Sequence, residues 1–397
     1  MISTFRNVVL CLDWSNLFFR SLYMANGFGK SVTYDLQEEI NNFIAKMAQD
    51  IAFILRMFGP NKVIFATDSK HSWRKDIYAD YKSNRDKGTT YNWDNIFAAL
   101  ESFKEHLKSL GFLFAETPHA EADDLMALVK ELVFDDEAFD DCNLILVSAD
   151  ADIRQLIDFD KEKERYCFVF NEVGRGPGGK RHLYCDYEGW NWYNKPAEMN
   201  DIFNMGIDLN KNYIKSILEA NKNVAFEQTD PAGILLCKIF CGDDGDCVPS
   251  FWEWYKNGKK VRITNRYYTG ILSNLAIVDI DDLDKKKEGL QDVMEKVTKQ
   301  KITDIDVLAR LERQKKLVQL SSKMFPKDIA EYKEKIKWAL LEQKPLSLHG
   351  LKMNDLIKGS EFSQVLVKDK RQNAEIYNTL GGLEKYVEGI GIQAPLW

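Results

Sequence analysis

The stretch AEADDLMALV, residues 120–129, sets three carboxylates, Glu121, Asp123 and Asp124, within four positions at the start of an apolar helical run. Acids are common in a first helical turn, where free amide hydrogens and the helix dipole favour an anion by about 0.3–1 kcal/mol each. Phase sets these apart. Leu125, Leu128, Leu132 and Val133 form an inward stripe, and Asp124 and Glu121 lie four residues before Leu128 and Leu125, so two acids continue the buried face. A carboxylate carried inward must be neutralised or meet a cation, because burying it unpaired costs several kcal/mol.

Six further aspartates have positions that chemistry could use. Asp13 follows VVLCL (8–12), Asp68 follows VIFA (63–66) and Asp150 follows LILV (144–147). Asp152 lies beside Asp150 in SADAD, and Asp243 and Asp246 sit in CGDDGDCVPS, where flanking glycines allow a tight turn that aims both at one point. Asp244 is a weaker tenth candidate. A donor set of carboxylates without His or Cys selects a hard cation, Mg²⁺ or Mn²⁺. Two such ions about 3.5–4 Å apart would offset much of the charge and are the usual apparatus for in-line displacement at phosphorus.

Cations stand nearby. In WRKDIYADYKSNRDK (73–87), helical spacing would put Arg74, Tyr78, Tyr81, Lys82 and Arg85 on one side, with Lys70 and Lys75 close by, so that positive groups alternate with rings able to stack on bases. In FWEWYKNGKKVRITNRYYTGIL (251–272), Lys256, Lys259, Lys260, Arg262 and Arg266 surround a turn at Gly258 between two expected helical pieces, an arrangement that grips duplex phosphates.

The elements that must position these groups follow from the hydrophobic pattern. The three apolar runs read as strands buried on both faces, and helices are expected over about 35–58, 93–110 and 121–134, so strand and helix alternate. This is an α/β pattern, a largely parallel sheet covered by helices, in which ligands bind beyond the carboxyl ends of the strands. Residues 165–171 and 180–186 read as a hairpin around GRGPGG. Gly174, Gly176 and Gly179 fit a dinucleotide-binding spacing, but KRHLYCDY then alternates like a strand where that motif needs a helix. The expected divisions are a catalytic core at 1–186, an inserted helical excursion at 187–228, the acidic turn with a helix-turn-helix subdomain at 229–282, and a helical region from 283 to 397.

Composition narrows the partners. The formal charge of −7 over 397 residues becomes +2 once the nine acids are set aside, which is compatible with a nucleic-acid partner. The seven cysteines include no CxxC pair, which fits a reducing compartment; Cys237, Cys241 and Cys247 lack a nearby His and read as buried thiols rather than a zinc site. Neither a signal peptide nor a membrane span is expected, and a cytoplasmic location follows.

Taken in order, LCLDWSN, FATDSK, YADYKSNR, AEADD, SADAD and GDDGDCVP resemble the motifs of the 5′-nuclease family, which includes flap endonucleases, the 5′-nuclease domain of bacterial DNA polymerase I and phage 5′-exonucleases. WRKDIYADYKSNR and TTYNWDNIF look most like the T-even phage ribonuclease H branch. The similarity spans roughly residues 7–330 apart from 187–228. It implies a PIN-like fold and a two-Mg²⁺ phosphodiesterase, with Mn²⁺ able to substitute, acting as a 5′→3′ exonuclease and flap endonuclease on DNA and RNA·DNA hybrids in lagging-strand primer removal. It assigns Asp13, Asp68, Glu121, Asp123, Asp124, Asp150, Asp152, Asp243 and Asp246 to the metals, and Lys82 and Arg85 to a helical gateway over the active site. It also implies a K⁺ ion on backbone carbonyls of the 251–272 duplex clamp, a monomer, and a single-stranded-DNA-binding protein and a sliding clamp as partners. The chain departs from the family pattern at Cys247, where Asn is usual, at the single glycine of KNGKK, and in the insertion and the region after 330. The final GIGIQAPLW is expected to dock on the core rather than serve as a sliding-clamp peptide. The competing enzyme readings are a PIN-type ribonuclease and a metal-dependent phosphatase. A non-catalytic DNA-structure binder would require an acid to be missing, and none is.

Overall fold

The computed structural model describes residues 6–25, 32–84, 91–173, 179–195, 209–303, 306–344, 346 and 351–362. The apolar runs form strands β1 (Asn7–Asp13), β2 (Lys62–Ala66) and β4 (Cys142–Val147), with β3 (Leu113–Ala115), β5 (Asp158–Asp160), β6 (Arg165–Asn171), β7 (Arg181–Cys185) and β8 (Val224–Gln228) completing one sheet. Its order is β3-β2-β1-β4-β6-β7-β8, with β5 antiparallel against the start of β6. The β3-β2-β1-β4-β6 stretch is parallel throughout. In register, Asp13 lies opposite Ala66 and Leu12 opposite Val147, so the ends of β2, β1 and β4 open onto the same edge.

Alternation along β1 explains why that sheet is buried on both sides. Val8, Leu10 and Leu12 join one apolar cluster with helices α1 (Trp14–Ala25), α2 (Gln37–Phe58) and α4 (Trp93–Ser109). Val9 and Cys11 join another beneath α5 (Ala122–Asp135) and the helix Lys327–Glu342. A third cluster holds together the helices Pro231–Cys241, Asn265–Leu275, Ile280–Lys286, Leu290–Thr298 and Val307–Val318, and takes in Tyr81. Among the described residues no helix is long and apolar enough to cross a membrane.

Three expectations are revised. Residues 73–84 are not a continuous helix: only α3 (Arg74–Ile77) is helical, and the chain then turns, with Lys82 in the left-handed region at φ 52°. The two helical pieces around Gly258 are instead a β-hairpin, β9 (Glu253–Lys256) and β10 (Lys259–Arg262), closed by Asn257 and Gly258, and the helix begins only at Asn265. Alternation in EWYK and KKVR with positive φ at both turn residues, 51° and 73°, suits the two-residue turn that matches strand twist. Residues 187–228 contain helices Tyr187–Asn194 and Leu209–Ala220 but end in β8, which extends the sheet parallel to β7. The expected hairpin of β6 and β7 is present, although 174–178 at its tip lie outside the described residues.

Candidate metal centre and nucleic-acid face

The acids converge on the carboxyl edge of the sheet. Asp13 ends β1 and is nearly buried; its Oδ1 accepts from the Asn16 amide at 2.9 Å and its Oδ2 from the Ser148 hydroxyl at 3.0 Å. Asp68, two residues past β2, accepts from the Ala122 amide at 2.7 Å and so caps α5. Asp150 accepts from the Asp152 amide at 2.9 Å, which starts the short 3₁₀ turn at Asp152–Leu156. Burial, then the charges of Asp68 and Asp150, push Asp13 up to about 7. Burial and then Asp150 likewise push Asp152 up to about 6, against the pull of Lys238.

Among the described residues, two groups of three offer carboxylate oxygens within 4.8 Å of one another, Glu121 with Asp123 and Asp124, and Asp152 with Asp243 and Asp246. The second depends on one glycine. Gly242 ends its helix at φ 75°, where a Cβ would come within 2.4 Å of the Val248 carbonyl oxygen. Only glycine lets Asp243 pair with Val248 through two backbone bonds, at 2.9 and 2.8 Å, and close the turn that holds Asp246. The Tyr81 hydroxyl joins the two groups, lying 2.9 Å from Glu121 Oε2 and 3.3 Å from Asp246 Oδ2. Tyr81 thus connects Glu121 to Asp246 and its group, and Asp13 feels the charges of both Asp68 and Asp150, so the acids form a rim along this edge with Asp124 fully buried behind it.

Among the described residues, three cations hold this negative charge. Arg74 is 1% exposed and reaches Asp124 and Glu121. Lys82 bonds Glu121 and lies 3.7 Å from Asp246, and its backbone amide donates to the Asp246 carbonyl at 2.9 Å. Lys238 lies between Asp152 and Asp243. Burial alone would raise Glu121, but Arg74 and Lys82 outweigh it and hold the carboxyl at about 2. Lys238 was not among the expected site residues; its signal was that it is the sole charge in PAGILLCKIFC.

The expected DNA contacts divide. Arg74 and Tyr81 are inside, 1% and 2% exposed, and their polar ends face the acids rather than solvent. Lys70, Lys75, Lys256, Lys259, Lys260, Arg262 and Arg266 are exposed. Arg262 makes a bidentate pair with Asp244 at 2.6 and 2.8 Å, so this tenth acid braces the hairpin against the acidic turn instead of entering either group of three. Arg85 lies outside the described residues, as do residues 363–397 with the GIGIQAPLW end. Cys237 and Cys241 share the Asn265 side-chain oxygen at 3.6 and 3.5 Å, while Cys247 turns to Ser83, so the three thiols do not converge.

Residues 8–172 match the family model described as the 5′-3′ exonuclease, N-terminal resolvase-like domain. No protein of curated function matches the sequence. Among solved structures, the flap endonuclease of bacteriophage T5, in a complex with DNA and metal ions, aligns at 15% identity and TM-score 0.51, covering 85% of this chain and 100% of that one. The bacteriophage T5 5′-exonuclease with bound zinc aligns at 16% identity and TM-score 0.48, covering 85% and 100%. At 15% identity the likeness to the first of these is one of fold.

Proposed function

We propose, from the match of residues 8–172 to the 5′-3′ exonuclease N-terminal domain, that this chain is a member of the 5′-nuclease family acting as a divalent-metal-dependent 5′→3′ exonuclease and flap endonuclease. Its substrates are DNA with 5′ ends or flaps and RNA·DNA hybrids, in the removal of lagging-strand RNA primers during phage replication. The observation that carries the reading is the two groups of carboxylates, beside Asp13, Asp68 and Asp150 and with no His or Cys among them, a donor set suited to Mg²⁺ or Mn²⁺. Glu121 and Asp123 with Asp68 and Asp13 would hold one ion, and Asp152, Asp243 and Asp246 with Asp150 a second. Bound there, such ions lower the pKa of a water and offset charge on the scissile phosphate and the leaving oxygen.

The chain's own residues supply the rest. Lys82, 16% exposed at the mouth of the rim, can turn its ammonium from Glu121 to a phosphate oxygen, and the left-handed turn bonded to Asp246 fixes where that ammonium starts. Tyr81, kept protonated by burial and the neighbouring Glu121 charge, orients the carboxylates it touches. The β9–β10 hairpin carries Lys256, Lys259 and Lys260 outward from the Arg262–Asp244 brace, where they can grip duplex phosphates.

The test is digestion of a 5′-labelled flap and of an RNA-primed duplex in Mg²⁺ or Mn²⁺, with a small phosphate ester as the competing substrate. Short products with 5′-phosphates are expected from the nucleic acids alone. Asp150→Asn is expected to lower turnover at least 100-fold, on the order of the loss when one key electrostatic group is removed, while duplex binding in Ca²⁺ or chelator stays within about twofold. Undiminished turnover in that variant, or hydrolysis of the ester alone, overturns the proposal.

A further inference from the structure

Arg74 has no place in the chemistry described so far, and it is the most completely enclosed cation of the acidic rim. Its side chain is 1% exposed, and each of its three guanidinium nitrogens donates to the protein. Nη2 donates to Asp124 Oδ1 at 2.7 Å, and Nη1 lies 2.8 Å from Glu121 Oε2 and 3.1 Å from Asp124 Oδ2. Nε donates to the Leu317 carbonyl at 3.0 Å, at the end of the helix Val307–Val318. Asp124 in turn is 0% exposed, and its Oδ2 also accepts from Trp73 Nε1 at 2.9 Å and from the Glu121 amide at 3.0 Å. Four donor contacts, three of them on Oδ2, together with complete burial leave this carboxylate little capacity for an ion. Asp123, by contrast, keeps 24% of its side-chain exposure.

We propose that Arg74 is a positioning residue of the metal centre: it takes Asp124 out of the ligand set, and with the same guanidinium it points Glu121 toward the ions that Glu121 and Asp123 would share. The proposal rests on the function given above, and it divides the AEADD acids into two working ligands and one internal anchor. A planar fork suits the task, because one rigid group fixes two carboxylates from different directions and ties both to a third element. Lysine at this position would keep the charge and lose the geometry.

The discriminating variant is the double substitution R74M/D124L. It removes one positive and one negative charge side by side, so the net charge near the ions is unchanged, and replacing a buried pair by apolar side chains of similar volume generally preserves the fold. What it withdraws is the restraint on Glu121. The expected result is a thermal midpoint near that of the parent, Mn²⁺ affinity about tenfold weaker by calorimetry in the absence of DNA, and a fall in kcat of tenfold or more with KM for the duplex unchanged. A folded double variant with parental Mn²⁺ affinity and kcat overturns the proposal, since Arg74 would then only neutralise Asp124. A rise in KM with a shallower salt dependence also overturns it, because Arg74 would then contact DNA. If the double variant does not fold, R74K carries the same readout: Mn²⁺ affinity weakened several-fold supports positioning, and parental affinity refutes it. Calorimetry on the parent separates this test from the function itself, since a chain that binds Mn²⁺ without cutting DNA refutes the nuclease reading and leaves the role of Arg74 measurable.

Discussion

At the residue scale, the carboxylates of the rim differ in how they hold protons, and the differences have a measurable consequence. Asp13, at about 7, and Asp152, at about 6, are both raised, first by burial and then by neighbouring acids. Each binds a proton more tightly folded than unfolded, where a carboxyl titrates near about 4. Their contribution to stability is therefore full below about pH 4 and is lost as pH rises through 6 to 7. Glu121 runs the other way: held at about 2, it contributes above its unfolded value and fails only in strong acid. In chelator, Asp13→Asn, which keeps the volume and can accept from Asn16, is expected to raise the thermal midpoint at pH 8, by roughly 2–4 °C for each kcal/mol recovered. The gain should shrink toward pH 4, and the same variant should bind Mn²⁺ more weakly. Scanning calorimetry against pH checks both; a midpoint at pH 8 equal to or below the parent's contradicts the assignment.

At the scale of elements, the hairpin is built against its own electrostatics. Lys256 stands directly opposite Lys259 at its tip, both exposed, and like charges so placed are destabilising. Nearer the base, Lys260 is matched by Glu253 and Arg262 by Asp244, so the unbalanced charge is concentrated where the hairpin projects. A polyanion would relieve it. The double substitution K256A/K259A should leave the fold intact and weaken duplex binding, and it should reduce the slope of log K against log salt by about 2, as expected for two lost phosphate contacts. Turnover at saturating duplex should change less than twofold. An unaltered slope would place the tip away from the phosphates. The brace at Asp244 also explains why a third acid in the GDDGD turn faces outward: it connects the finger to the segment carrying Asp243 and Asp246.

At the scale of the whole molecule, the rim lies across a seam. Glu121, Asp123 and Asp124 belong to α5, whose apolar face packs on the sheet, whereas Asp243 and Asp246 belong to the turn above the third apolar cluster. Tyr81 and Lys82 touch acids from both sides of it. A divalent ion bound on this rim would fasten two separately packed parts, and binding only to the folded chain stabilises it by about 2.7 kcal/mol at one hundred times the dissociation constant. Adding Mn²⁺ at pH 7.5 is expected to raise the midpoint by several degrees and to protect the loops around 242–250 from proteolysis. In Asp243→Asn both effects should be much reduced. Equal protection in that variant would detach the turn from metal binding.

What the chain determined by itself is the part governed by local pattern. Continuous apolar runs ending in Asp13, Asp68 and Asp150 dictated parallel strands with acids at one edge, because a strand buried on both faces has room for charge only where it ends. The phase of AEADD against its leucines marked Glu121 and Asp124 as inward, and both are buried. Which cation would meet them was not legible, since the answer depends on residues far apart in sequence: Arg74 is 50 positions from Asp124 and 243 from the Leu317 carbonyl that completes its coordination. Helical spacing suggested a cationic stripe at 73–87, but acids buried along the cleft would be strongly destabilising without a cation to meet them, and only packing shows that Arg74 is within reach. The hairpin and β8 were missed for a similar reason. Four- and five-residue strands carry too few alternations to outweigh a helical reading, and it is the neighbouring strand, supplied by tertiary structure, that makes them strands at all.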